Sequence, residues 1–75
     1  MTAMIFDSIG GEPIKRREFQ FWADCHDWIM EELSGWMESG DVIEWTKRPN
    51  GLRIAEIVDP QSGEVAVDFK GAIRL

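Results

Sequence analysis

The chain has 75 residues, a formal net charge of −6 and a hydrophobic content of 44%. So short a chain predicts one domain over residues 1–75 with a thin stability margin, because small domains bury only about 60% of the surface that their unfolded chain exposes. With a single cysteine, Cys25, and a single histidine, His26, it has neither an intramolecular disulfide nor a common structural zinc site.

The first residues, Met1 to Asp7, have no cationic start and reach an aspartate before any long apolar run. They therefore predict neither a signal peptide nor an anchor. No stretch approaches the roughly eighteen apolar residues of a membrane span. Because a lone free cysteine fits a reducing compartment, we expect a cytoplasmic protein that does not enter a membrane.

Residues 3–9 are rich in β-branched and aromatic side chains, which predicts a strand. Gly10-Gly11 suits the turn of a hairpin, and residues 12–18 would then form a second strand at the edge of the sheet, where Pro13 is tolerated. A competing interpretation starts a long helix at Pro13. The hairpin is favoured, because the three cations at 15–17 would oppose the helix dipole.

A helix follows, since one apolar stripe recurs at helical spacing. The stripe consists of Trp22, Cys25, Ile29, Leu33 and Trp36, flanked by Phe19, His26, Met30 and Met37. Gly35 lies inside it at some cost in helix propensity, and Gly40 is expected to end the helix.

Three further strands are predicted after the helix, separated by turn residues. They span 42–47, 52–58 and 64–69, and Gly71 would mark a bulge before 72–75. An amphipathic helix packed on an antiparallel sheet is the natural two-layer arrangement for these elements. We therefore expect an α+β fold with about four to five strands in the order β(β)αβββ.

Catalytic and metal-binding residues are not recognisable. Cys25, His26 and Asp27 are adjacent on a helix, so their side chains point about 100° apart and cannot form a relay. Glu31 and Glu32 diverge for the same reason, and no spacing matches a calcium or phosphate loop. We expect a protein that is not an enzyme and uses no metal or cofactor.

The net charge is concentrated in one segment. Residues 18–39 contain six acids and no Lys or Arg, whereas the rest of the chain has eight of each sign. Lys15-Arg16-Arg17 precedes this segment and forms a small basic cluster, either a solvated edge or an internal counterweight to the helix. Three cations beside an acidic helix are too few to predict direct nucleic-acid binding.

The acids of the helix predict a partner-binding surface. On a helical wheel they fall opposite the apolar stripe, and the aligned residues are Asp24, Asp27, Glu31 and Glu38. Phe21 and Trp28 border this line, and aromatic side chains edged by carboxylates suit a basic partner. The alternative is that the acids only keep the protein soluble and that both aromatics belong to the core.

In size, acidity and lack of an active site the chain resembles small inhibitors encoded by phages and mobile elements, the anti-CRISPR proteins in particular. The resemblance carries no residue over. It implies a protein that occupies a basic, often nucleic-acid-binding, surface of a protein or ribonucleoprotein complex. The other function that we consider is a homo-oligomeric regulator or antitoxin-like protein, such as a homodimer, joined through complementary charges or edge strands.

Overall fold

The computed structural model describes residues 1–7 and 11–75, which form five strands and one helix in the chain order ββαβββ. The elements are β1 (Thr2–Phe6), β2 (Pro13–Glu18), α1 (Trp22–Ser34), β3 (Val42–Lys47), β4 (Arg53–Val58) and β5 (Val65–Arg74). In space the strands follow the order β2-β1-β5-β4-β3, and all neighbours are antiparallel. The α+β prediction is therefore confirmed, whereas the order of strands in the sheet was not predicted.

Strand β2 is an edge strand that pairs with β1, which confirms the hairpin interpretation of residues 12–18. Met1 and Phe19 extend this ladder, because each backbone N donates to the carbonyl of the other at 2.9 Å. Residues 8–10, which belonged to the predicted strand and turn, lie outside the described residues. The cations at 15–17 are thus held in an extended strand, where no helix dipole opposes them.

Helix α1 buries Cys25, Ile29 and Leu33 against the sheet, mainly over β1 and β5. It ends at Ser34 with Gly35 as its C-cap, so the prediction that it continues to Gly40 is wrong. The backbone tightens at this point, because Trp36 N–H donates to Leu33 C=O three residues back at 2.9 Å. Among the described residues no helix is long and apolar enough to cross a membrane.

Trp36 and Met37 therefore lie beyond the helix, although they continue its apolar stripe in the sequence. The Trp36 ring stacks on Phe69 of β5 with 3.9 Å between ring centroids, and 51% of the residue stays exposed. Met37 is partly buried against the core. The turn after α1 thus brings both side chains back to the sheet without any further helix.

Gly71 does not mark a bulge, which corrects the prediction for residues 64–75. It pairs regularly with Ile5 on β1 and Ala55 on β4, and β5 continues through it to Arg74. The register shifts lie earlier in β5, opposite Ile57. A Cβ atom at residue 71 would lie 2.5 Å from Ile29 Cγ2, so glycine at this position allows the close approach of the helix.

The two faces of the sheet differ. The face under the helix forms the core, which consists of Ala3, Ile5, Cys25, Ile29, Leu33, Ala55, Ile57 and Ile73. On the opposite face Met4 pairs with Ala72, and Ala72 pairs with Ile54. No helix covers this open face within the described residues, although Met4 and Ala72 are only 6% and 1% exposed.

Candidate functional site: an acidic helix face

Three carboxylates lie together on the solvent side of α1. Asp24, Asp27 and Glu31 are all exposed, and they are spaced by three and four residues, which places them on one side of the helix. We call these three residues the acidic face. No Lys or Arg of the described residues lies within 4 Å of their carboxylate oxygens. The acidic face is therefore an accessible surface whose charge is not neutralised by Lys or Arg.

This arrangement costs the helix some stability. Asp27 and Glu31 are four residues apart, and such like-charge pairs cost roughly 0.2–0.5 kcal/mol. Glu31 also lies in the last turn of α1, near the negative end of the helix dipole, and that turn contains no basic residue. Helix stability alone would favour a cation at one of these positions.

The neighbouring carboxylate, Glu32, is neutralised within the chain. Its Oε2 lies 2.8 Å from Lys15 Nζ on β2. The other two cations of the cluster do not pair with the helix. Alternation along β2 places Arg16 on the opposite face, 3.8 Å from Glu18, and Arg17 lies 4.9 Å from the Phe19 ring centroid. Lys15 is therefore a counterweight to the helix, whereas Arg16 and Arg17 belong to an exposed edge strand.

The two predicted border aromatics have different environments. Phe21 precedes the first helical residue and is 61% exposed. Trp28 is half-buried, packs against the core and contacts Phe19 with 5.9 Å between ring centroids. Phe21 is therefore available to a partner beside the acidic face, whereas Trp28 mainly widens the contact between helix and sheet.

Glu38 does not belong to the acidic face, because the helix ends four residues before it. Its backbone N–H donates to Asp41 Oδ2 at 3.0 Å, and Asp41 N–H donates to the Glu38 carbonyl at 3.1 Å. This local turn places Glu38 beside the loop at 59–61. The predicted line of four acids is thus reduced to three.

The adjacent residues Cys25, His26 and Asp27 have separate surroundings. Cys25 is fully buried in the core, and this burial raises the pKa of its thiol. The His26 ring stacks on Trp45 with 5.2 Å between centroids, while the Asp27 side chain is 81% exposed. Within the described residues, no group of three or more His, Cys, Asp or Glu side chains is placed to hold a metal ion.

Sequence reasoning missed a cluster of aromatic and cationic side chains near the start of α1. Trp22 and His26 lie one helical turn apart, and Trp45 with Arg53 comes from β3 and β4. The spacing of Trp22 and His26 signalled a shared helix face. The contribution of β3 and β4 had no signal in the sequence, because it depends on the order of the strands.

The open face of the sheet holds a concavity of about 370 Å³. Met4, Phe6 and Ile54 supply its apolar surface, and Arg48 and Arg74 lie among the lining residues.

No protein-family model, curated protein or solved structure matches this chain.

Proposed function

We propose that this protein is a binding module that places its acidic face against a basic surface of a protein or ribonucleoprotein partner. The observation that carries this proposal is the set of three exposed carboxylates, Asp24, Asp27 and Glu31, without a Lys or Arg partner among the described residues. They lie in the segment that contains the whole net charge of the chain. Such a surface attracts and orients a basic partner.

The surroundings of the acidic face support this proposal. The helix is fixed to the sheet by three fully buried side chains, Cys25, Ile29 and Leu33, so the backbone that carries the carboxylates is held in place before a partner arrives. Binding then loses little backbone entropy on this side. Phe21, one turn before Asp24, offers an exposed ring that a partner could cover.

The spacing of the charges also supports mimicry of a nucleic-acid strand. A rise of 1.5 Å per residue spreads Asp24, Asp27 and Glu31 over about 10.5 Å of the helix axis. Neighbouring charges are therefore about 5 Å apart along the axis, the same order as the roughly 3.4 Å between successive phosphates of one strand along a DNA duplex. An inhibitor of the anti-CRISPR type, which covers a nucleic-acid-binding surface, would use such an arrangement.

The proposal is tested by capture from native cell extract with three forms of the protein. The helix variant carries Asp27→Lys and Glu31→Lys, and the control carries Glu44→Lys and Glu64→Lys at exposed sites away from α1. Each reversal adds two charges, so both variants change from −6 to −2. We expect one partner to bind the wild type and the control, to dissociate as salt rises, and to be lost from the helix variant. Equal retention by the helix variant would contradict the proposal.

A second candidate function is self-assembly into a small regulatory oligomer. It is favoured by Arg48 and Arg74, which line the concavity on the open face and could meet the acidic face of a second copy. Because these two surfaces lie on opposite sides of the sheet, the contact would be head-to-tail and not a closed two-fold pair. Light scattering would then show a mass that grows with concentration and falls with salt. A constant monomer mass would exclude it.

A further inference from the structure

A concavity of about 360 Å³ lies where the beginning of α1 meets β3 and β4. Its lining residues are Trp22, His26, Trp45, Thr46, Lys47 and Arg53. The three rings contact one another: His26 stacks on Trp45, and the Trp22 centroid lies 5.9 Å from that of Trp45. Volume and aromatic walls are typical of a small-molecule site.

Positive charge is concentrated at this concavity. Lys47 and Arg53 are directly opposite each other in the β3–β4 ladder, and like charges in that position repel. None of the six described lining residues carries a carboxylate. The nearby carboxylate of Asp27 has its Oδ1 3.3 Å from His26 Nδ1, but Asp27 is not a lining residue and its side chain is 81% exposed. An acidic protein thus places two cations side by side, which favours an anion between them.

Two of the lining residues each have a hydrogen-bond donor without an acceptor among the described residues. The donors are Trp45 Nε1 and Arg53 Nε, and both atoms are buried. The central carbon of the Arg53 guanidinium lies over the Trp22 ring, 4.6 Å from its centroid. Buried donors in folded proteins are nearly always paired with protein or ordered water, so two unpaired donors among these lining residues indicate an acceptor from outside the chain.

We propose that this concavity binds the oxyanion, carboxylate or phosphate, of a small molecule. The Arg53 guanidinium binds its oxygens and Lys47 neutralises its charge. Trp45 Nε1 and Arg53 Nε are buried in the free protein, so they donate to the ligand only after a shift of their side chains. The rings of Trp22 and His26 pack against the rest of the ligand. A guanidinium suits planar and tetrahedral oxyanions, because its donors are fixed in one plane. This site lies apart from the acidic face and does not depend on the function proposed for it.

The test uses the indole N–H signals of the four tryptophans in ¹⁵N-labelled protein, with Trp45 assigned through Trp45→Phe. Inorganic phosphate, acetate and benzoate are added separately, with chloride at matched ionic strength as the reference. We expect a saturable shift of the Trp45 signal, with a Kd in or below roughly the millimolar range. Saturation by phosphate alone identifies a phosphate ligand, saturation by the carboxylates alone identifies a carboxylate, and saturation by both identifies a general oxyanion site.

Variants show whether the shift of the Trp45 signal reports binding of the anion in this concavity. Arg53→Lys keeps the charge but loses the fixed donors, so it should raise the Kd by about tenfold. Lys47→Gln, at an exposed position, should also weaken binding, whereas Arg16→Gln on the exposed edge strand β2 should leave it unchanged. If Arg53→Lys fails to fold, the Kd of Lys47→Gln is the deciding measurement. A shift shared by all four indoles, no saturation, or an unchanged Kd in the folded variants would mean an adventitious ion only and would overturn the proposal.

Discussion

The contact between Gly71 and Ile29 can be tested by adding a single methyl group. In Gly71→Ala the new Cβ would lie 2.5 Å from Ile29 Cγ2 and 3.3 Å from its Cδ1, so helix or sheet must shift. The φ of Gly71 is not positive, so alanine causes no backbone strain of that kind. Overpacking of this sort costs typically 1–3 kcal/mol. A domain of this size has roughly 4–11 kcal/mol in total, so the loss is readily measurable.

The assay is thermal and urea unfolding followed by tryptophan fluorescence. A loss of 1–3 kcal/mol should lower the Tm of such a domain by about 4–24 °C. Gly35→Ala is the matched control, because its Cβ would meet only the Glu32 carbonyl at an ordinary 3.7 Å. That substitution should be neutral or stabilise the fold by about 0.4–1 kcal/mol.

A double-mutant cycle isolates the clash itself. Ile29→Ala removes all three side-chain atoms that the new Cβ would meet, at a cost of about 2–5 kcal/mol for the cavity. In that background Gly71→Ala should lose its penalty, because the three nearest atoms are gone. The reasoning is refuted if Gly71→Ala is as stable as wild type, or if its cost is the same with and without the Ile29 side chain.

Two further predictions concern the helix. Glu31→Lys replaces repulsion from Asp27 with attraction and adds a cation to the last turn. Urea unfolding should therefore show that the free energy of unfolding rises by about 0.4–1 kcal/mol. No rise would mean that the acidic face does not destabilise the helix. Burial raises the pKa of the Cys25 thiol and shields the sulfur from solvent. A thiol reagent at pH 8 should therefore modify Cys25 only after urea unfolds the domain. Rapid labelling of the native protein would contradict the packing.

Local patterns were enough to predict most of the elements. β3 has the predicted bounds of 42–47, and the stripe through Cys25, Ile29 and Leu33 is the buried face of α1. These features depend on residues close in sequence, where periodicity and turn residues act directly. Edge placement of β2 was also predictable, because Pro13 and three cations suit an edge and not a helix start.

The end of the helix was not predictable from the same periodicity. Trp36 continues the apolar stripe, yet it is buried in part by stacking on Phe69 after the chain has left the helix. An apolar stripe in the sequence shows which side chains face the core. A turn can direct a side chain to the core just as a helix can. The extra length wrongly placed Glu38 on the acidic face.

Contacts between distant segments needed the order of the strands. β5 lies at the centre of the sheet, which places Gly71 directly under Ile29 and gives the glycine its role. In the same way, β3 and β4 bring Trp45 and Arg53 to Trp22. No spacing within one segment contains this information, since each contact joins residues more than twenty positions apart.

The central claim, that the acidic face is the contact surface, is tested most directly by titrating the captured partner with the three purified forms. Calorimetry at fixed salt should give a Kd for Glu44→Lys/Glu64→Lys within about threefold of wild type, whereas Asp27→Lys/Glu31→Lys should weaken binding by about a hundredfold or more. Circular dichroism must show that all three are folded. An equal loss in both variants would mean that net charge alone governs binding, and no loss in the helix variant would mean that the partner binds elsewhere.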